Sequence, residues 1–265
     1  MSLIDTHTHL ESFARRGALV ETLARARAAG VEKMITIGTS PDDWTLYRGL
    51  VVENAAAIAF SVGLHPCSVD ENWEKAIAQM EAFWSGEARP VALGECGLDR
   101  FHLPKEAEEA ETIFRWQRGA FGAQLAMAKR LDCPVVVHSR GAFRECVEMI
   151  DASGVDWARV VFHCFTEGEA EMAELTRRGG WGSFTGIITY KTAESVRAAA
   201  KAQGLARLMI ETDAPYLTPM PHRGKPNEPA FLRHTAEFCA KEVFGVSDAE
   251  FAAVTTANAR RFFGL

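Results

Sequence analysis

The sequence predicts an α/β protein built as a TIM-like (β/α)8 barrel, and three observations predict it. Short β-branched apolar runs alternate with longer stretches of helical period, as in successive βαβ units around a parallel sheet. Eight such runs can be counted, the number that closes a barrel. Histidines and carboxylates recur at the C-terminal ends of those runs, the barrel face on which sites are assembled.

The candidate strands, in order, are SLID (2–5), EKMITIG (32–38), IAFSVGL (58–64), PVALGE (90–95), PVVVHS (134–139), RVVFHC (159–164), WGSFTGIIT (181–189) and RLMIETD (207–213), with a helical segment after each. ALVETLARARAAG (18–30), NWEKAIAQMEAFWSG (72–86), AFRECVEMIDASG (142–154) and AESVRAAAKAQG (193–204) each end on a glycine suited to the C′ position. The longest helical stretch, 104–132, is acidic at its start and basic at its end, as a helix dipole favours, and reads as scaffold. APYLTPMPHRGKPNEP (214–229) is a Pro-rich loop too long for a simple βα turn, and such loops in compact domains are usually functional. Two helices, 229–245 and 247–264, close the chain. No internal repeat, linker or low-complexity tract interrupts this order, and 265 residues suit one barrel, so a single domain over 1–265 is expected.

Composition narrows the class. With 48% hydrophobic and 24% charged residues a large buried core is feasible and disorder is excluded. Lys plus Arg total 29 against 35 Asp plus Glu, a net charge of -6 that excludes a protein coating nucleic acid. Any polyanion must be held by a local basic patch or by metal ions. The six cysteines (Cys67, Cys96, Cys133, Cys146, Cys164, Cys239) include no CxxC pair and lie mostly in apolar runs, so no disulfide scaffold is expected. MSLIDTHTHL has no basic segment followed by an apolar stretch, and no run reaches the ~18 apolar residues of a membrane span. A reduced, cytoplasmic chain is the expectation.

Strands of a parallel barrel are buried on both faces and should read as continuous apolar runs. Yet His7 and His9 follow SLID, His65 follows FSVGL, Glu95 follows VALG, His138 follows VVV, His163 follows VVF and Asp213 follows LMIET. Residues two apart in a strand share a side, so His7 and His9 can face one ion, although the HxH spacing alone is weak evidence. A single histidine such as His138 or His163 is more often a satisfied core residue than a ligand. Taken together the cluster is a costly way to fill a core, several kcal/mol for each buried polar group unless something such as a cation pairs them. Imidazoles and carboxylates without thiolates suit Zn, Mn, Fe, Ni or Co, with Mg possible at a carboxylate-rich position. Six candidate ligands exceed what one catalytic zinc uses, so two divalent metal ions sharing a bridging carboxylate and activating water are expected. No GxSxG motif offers a serine nucleophile instead, and the reaction class is hydrolysis.

IDTHTHL, SVGLHP, ALGECGLD, VVVHSR, FHCF, SFTGIITYK, IETDAPYL and HRGKPNEP, in this order and spacing, resemble the TatD family of metal-dependent hydrolases, the TatD-type deoxyribonucleases, from about Leu3 to Leu265. The resemblance implies a barrel of the metal-dependent amidohydrolase kind and phosphodiester hydrolysis, exonuclease action on DNA in some members. It implies one ion on His7, His9, Glu95 and Asp213 and a second on Glu95, His138 and His163. Glu95 would bridge, Asp213 would also position and deprotonate the attacking water, and His65 would face the substrate.

Arg140, Arg223 and Lys225, in loops beside these strands, could hold a phosphate, with Lys191 in a similar position. Cys67, Cys96 and Cys164 neighbour the site and are expected as small buried side chains. Three departures from the family pattern bear on substrate. FHCFTEG places Glu167 near the mouth, Pro226 stands where a basic residue is common, and Arg100 replaces an aromatic residue while offering a compensating charge. The expected partner is therefore nucleic acid as a weakly bound substrate, taken at short or single-stranded ends, with no membrane and no obligate protein partner. An amidohydrolase-type enzyme cleaving an ester or amide, such as an aminoacyl ester or lactone, is the alternative. Many such relatives carry a carboxylated lysine near the end of the fourth strand, where this chain has Glu95. A metal-binding protein without turnover is disfavoured, because six ligands for two ions leave open positions.

Overall fold

In the computed structural model, which describes residues 2–265, the expected strands all form, parallel and hydrogen-bonded in the order β1 to β8. They are β1 (Leu3–Thr8), β2 (Val31–Thr36), β3 (Ile58–Val62), β4 (Ala92–Asp99), β5 (Val135–Arg140), β6 (Val160–Phe162), β7 (Trp181–Phe184) and β8 (Met209–Ile210). The helices are α1 (Glu11–Arg15), α2 (Leu19–Ala28), α3 (Pro41–Asn54), α4 (Trp73–Met80), α5 (Ala107–Leu131), α6 (Phe143–Ser153), α7 (Glu169–Arg178), α8 (Glu194–Gln203), α9 (Leu232–Phe238) and α10 (Asp248–Phe263). The ring is joined just beyond β8, where the Asp213 N–H donates to the His7 carbonyl at 2.9 Å and the His9 N–H to the Ala214 carbonyl at 2.8 Å. None of the described helices is long and apolar enough to cross a membrane.

The period of two along each strand sorts the core into two clusters. One set of alternate residues (Leu3, Met34, Phe60, Leu93, Val135, Val160) packs outward under the helices. The other (Ile4, Ile35, Ala59, Val136, Val161, Met209) fills the barrel floor, where Phe262 and Phe263 of α10 close the bottom. Two residues further along, on the same side, the floor gives way to polar groups: Val136 to His138, Val161 to His163, Trp181 to Ser183 and Met209 to Glu211. The alternation that builds the apolar floor thus delivers the polar layer above it.

Boundaries differ from the sequence expectation where local chemistry intervenes. β7 stops at Phe184 rather than 189, because the Thr185 hydroxyl caps a 3-10 turn over Gly186–Thr189. A Cβ at Gly186 would stand 2.4 Å from the Leu217 carbonyl, so the loop after β8 occupies the path of a longer strand. α4 ends at Met80 and continues as a 3-10 turn, and the segment 229–245 divides into a 3-10 turn, α9 and a π turn over Cys239–Phe244. α5 starts at Ala107, where the Glu106 carboxylate accepts the Glu109 N–H at 2.7 Å, and not at Pro104.

Candidate active site

β4 is the longest strand, and its pairing is irregular. Its register against β5 shifts between Leu93 and Cys96, and this irregularity turns Glu95 into the barrel although the strand runs on to Asp99. Only glycine fits beside it: at Gly97, φ is 142°, and a Cβ would lie 2.0 Å from the His138 carbonyl oxygen. β1 also shifts register, between Asp5 and Thr8, and carries His7 and then His9 to the same mouth. Asp213, at φ 53°, follows β8.

These irregularities converge on Glu95, which is 3% exposed. Its Oε1 lies 2.8 Å from His163 Nε2, 2.9 Å from His138 Nδ1 and 3.3 Å from His65 Nε2. Its Oε2 lies 3.3 Å from His7 Nε2. Asp213 Oδ1 completes the other side, 3.2 Å from His9 Nε2 and 3.6 Å from His7 Nε2. The geometry brings together all seven of His7, His9, His65, Glu95, His138, His163 and Asp213, and a cavity of about 980 Å³ opens above them.

Burial alone would raise the Glu95 carboxyl, but the charges of His163, His65 and His7 and the His138 hydrogen bond outweigh it and hold it well below the usual range. Asp213 behaves likewise: burial opposes ionisation, and the His9 hydrogen bond with the His7 and His9 charges prevails. Burial pushes the His7 imidazole down, whereas Glu95 and Glu211 overcome burial at His163 and raise it well above its ordinary value. The site therefore presents two carboxylates at neutral pH.

The donor set fits two cations. Three ring nitrogens crowd one Glu95 oxygen, which has only two lone pairs. Neither nitrogen of the fully buried His7 makes a hydrogen bond among the described residues, a costly arrangement that a cation on its one lone-pair nitrogen would relieve. His7, His9 and Glu95 form one ligand-spaced group, and His65, Glu95 and His138 another. His65 differs from the rest. Its Nδ1 accepts the Cys67 N–H at 3.0 Å, so in the neutral ring the proton sits on Nε2, which then donates and does not ligate.

Three carboxylates that sequence reasoning passed over support this shell. Asp99 Oδ2 accepts from His138 Nε2 at 3.0 Å, which leaves His138 Nδ1 free to ligate. Glu211 accepts the Cys164 N–H and the Ser183 hydroxyl, and its Oε1 stands 3.4 Å from His163 Nδ1. Asp5 accepts the Thr212 N–H at 2.9 Å and the His7 N–H at 3.3 Å, tying β1 to the segment that carries Asp213. Each was legible as an acidic residue in or beside an apolar run, two residues before a candidate ligand (Asp5, Glu211) or four after one (Asp99).

The expected phosphate-holding residues are placed unevenly. Arg140 lines the cavity, its guanidinium 3.9 Å from the Phe101 ring centroid. Arg223 stacks on Tyr190 at 4.3 Å, and Lys191 and Lys225 are exposed; none of the three lines the cavity. Arg100 does not supply the compensating charge, since it pairs with Glu145 at 2.8 Å and lies over Phe114. Thr166, not Glu167, faces the cavity. Of the three cysteines expected beside the site only Cys96 is buried; Cys67 is exposed and Cys164 half-buried, both on the cavity wall.

The family described as TatD related DNase matches residues 4–264. The chain is 36% identical over 266 residues to the uncharacterized metal-dependent hydrolase YcfH of Escherichia coli, covering 99% of this chain and 96% of that one. It is 34% identical over 258 residues to the 3'-5' ssDNA/RNA exonuclease TatD of Cronobacter sakazakii, covering 92% and 90% of the two. Among solved structures, that of YjjV, a TatD homolog from Escherichia coli, superposes with a TM-score of 0.88 at 27% identity, covering 99% of this chain and 98% of that one.

Proposed function

The chain belongs to the TatD-related DNase family of metal-dependent hydrolases, and from that premise we propose that it hydrolyses phosphodiesters at single-stranded nucleic-acid ends, using two divalent ions. The observation that carries the reading is the sharing of Glu95 between two groups of imidazoles at the open end of the barrel. His7, His9, Glu95 and Asp213 would hold one ion, and Glu95, His138 and His163 the other. Zinc, manganese, magnesium, nickel and cobalt all suit such a set. Bound ions of this kind activate water and offset charge on a phosphoryl oxygen.

The remaining work falls to side chains. Asp213, ionised and 13% exposed at the cavity floor, orients the attacking water and accepts its proton. His65 Nε2–H donates toward the same space and meets the developing negative charge. Arg140 supplies the cation nearest an incoming phosphate. Single-stranded ends suit a chain of net charge -6 whose other loop cations lie off the cavity, since duplex binding needs an extended basic face. That same scarcity of cations favours a second reading, an ester or amide hydrolase using the same residues.

A substrate panel with Mn or Mg separates the two: single-stranded and duplex DNA and RNA beside carboxylic esters and lactones. Release of mononucleotides from single strands, lost in Glu95→Ala, supports the nuclease. Ester turnover without phosphodiester turnover, also lost in Glu95→Ala, overturns it in favour of the second reading.

A further inference from the structure

Beside the two-ion cluster, the same end of the barrel carries a second set of donors that the proposed hydrolysis leaves unused. Cys67 Sγ, Asp99 Oδ2 and His102 Nδ1 lie within 4.8 Å of one another. His102 Nδ1 is 2.8 Å and Cys67 Sγ 3.7 Å from the Asp99 oxygen. Asp99 is fully buried, while Cys67 and His102 stand exposed on the cavity wall, so an ion entering from the cavity meets the carboxylate at its back.

The three side chains sit on segments that are already fixed. Cys67 lies in the 3-10 turn Pro66–Ser68 after β3, its N–H held by His65. Asp99 ends β4. The buried Gln117 of α5 joins the two, accepting the Asp99 N–H at 3.0 Å and donating to the Pro66 carbonyl at 3.3 Å. His102 is fixed in turn by its N–H, which donates to Asp99 Oδ1 at 2.9 Å. Little ordering entropy is left to lose on binding, which favours a preformed site over a chance juxtaposition.

We propose that Cys67, Asp99 and His102 form a third cation site, which takes a zinc-class ion through one thiolate, one imidazole and one carboxylate oxygen. A thiolate with an imidazole selects zinc, cobalt or cadmium over magnesium and calcium, which prefer oxygen alone. Three protein ligands leave a fourth position facing the cavity, as in exchangeable rather than closed structural sites. Binding releases the thiol proton to solvent. Because Asp99 Oδ2 also accepts from His138 Nε2, the third ion shares a carboxylate with the shell of the Glu95 cluster.

The test is a cobalt titration of the metal-depleted full chain under a non-thiol reductant, read by absorbance. Wild-type protein is expected to bind one equivalent beyond the Glu95 cluster, with a thiolate-to-cobalt charge-transfer band in the near ultraviolet. Cys67→Ser removes the band and that equivalent while sparing the others, and His102→Ala weakens it by about tenfold or more. Cys164→Ser, which alters the other thiol on the wall, leaves the band in place. Absence of the band in wild type, its survival in Cys67→Ser, or its loss in Cys164→Ser overturns the proposal. A Cys67-dependent band on a protein that binds no other cobalt supports this site and refutes only the two-ion reading.

Discussion

Replacing Asp99 by Asn tests whether the carboxylate behind His138 sets the affinity of the second ion. Asp99 Oδ2 accepts from His138 Nε2 at 3.0 Å and from His102 Nδ1 at 2.8 Å, while Oδ1 accepts the His102 N–H at 2.9 Å. An amide has one acceptor oxygen in place of two. With that oxygen on the His102 N–H, its NH2 faces both rings, and His138 must present a bare Nε2, which moves its proton to Nδ1, the atom aimed at Glu95. The lost bond has a charged acceptor and is worth about 1.5–3 kcal/mol. At about 1.4 kcal/mol per factor of ten, that is a loss of ~10- to 100-fold in affinity for one ion, the range typical of outer-shell partners of ligating histidines. Calorimetric titration with Mn at pH 7.5 should show one binding event weakened by that factor and the other nearly unchanged, with activity recovering as Mn is raised. Asp99 also raises the proton affinity of His138 against the effect of burial. Its loss relieves competition by protons, so the deficit should narrow as pH falls. Unchanged affinity at both sites would refute the tautomer argument, and so would equal loss at both.

Three further outcomes follow from the same geometry. Asp213→Asn should keep the fold and lower the metal-saturated turnover rate by ~10² or more, because an amide cannot accept the water proton; an unchanged rate removes Asp213 from that role. Gly97→Ala forces a Cβ against the His138 carbonyl at φ 142°, and the clash and the strained backbone together should cost about 2–5 kcal/mol and lower the melting temperature by several degrees; a wild-type melting temperature would show that β4 and β5 are not so close. Burial pushes the Asp5 carboxyl up to about 8, above the 3.8 of an ordinary aspartate. The stability this contributes is fully present below pH 3.8 and lost as pH rises through 8. Urea unfolding between pH 6.5 and 9 should therefore show wild-type stability falling and Asp5→Asn staying flatter; parallel profiles would contradict it.

The eight strands and the seven residues at their mouth were legible because burial imposes strong composition rules. A strand enclosed on both faces must be apolar, so VVVHSR, VVFHCF and LMIETD each announce where the apolar stretch ends and the polar layer begins. Asp5, Asp99 and Glu211 obey the same rule, but nothing in the local sequence distinguishes them from ordinary acidic residues. Which partner each would find depends on chain neighbours far away in sequence: Asp5 meets Thr212 only where the barrel closes, and Glu211 meets Ser183 across the β7–β8 pairing. The loop cations show the opposite limit. Arg140, Arg223 and Lys225 look alike in sequence, yet one lines the cavity, one stacks on Tyr190 and one stands exposed.

The sequence by itself determined the architecture and the kind of chemistry, because hydrophobic periodicity is a local property and a cluster of buried imidazoles and carboxylates has few uses. The tertiary structure alone decided how those groups act. Glu95 points into the barrel among four imidazoles because β4 slips register at a point where only glycine lets two backbones approach, and strand periodicity would have turned that carboxylate elsewhere. The His65 ring is a donor because its other nitrogen is engaged by the Cys67 N–H. Distances of a few ångströms between segments a hundred residues apart set tautomer, charge and ligand choice, and no local pattern encodes them.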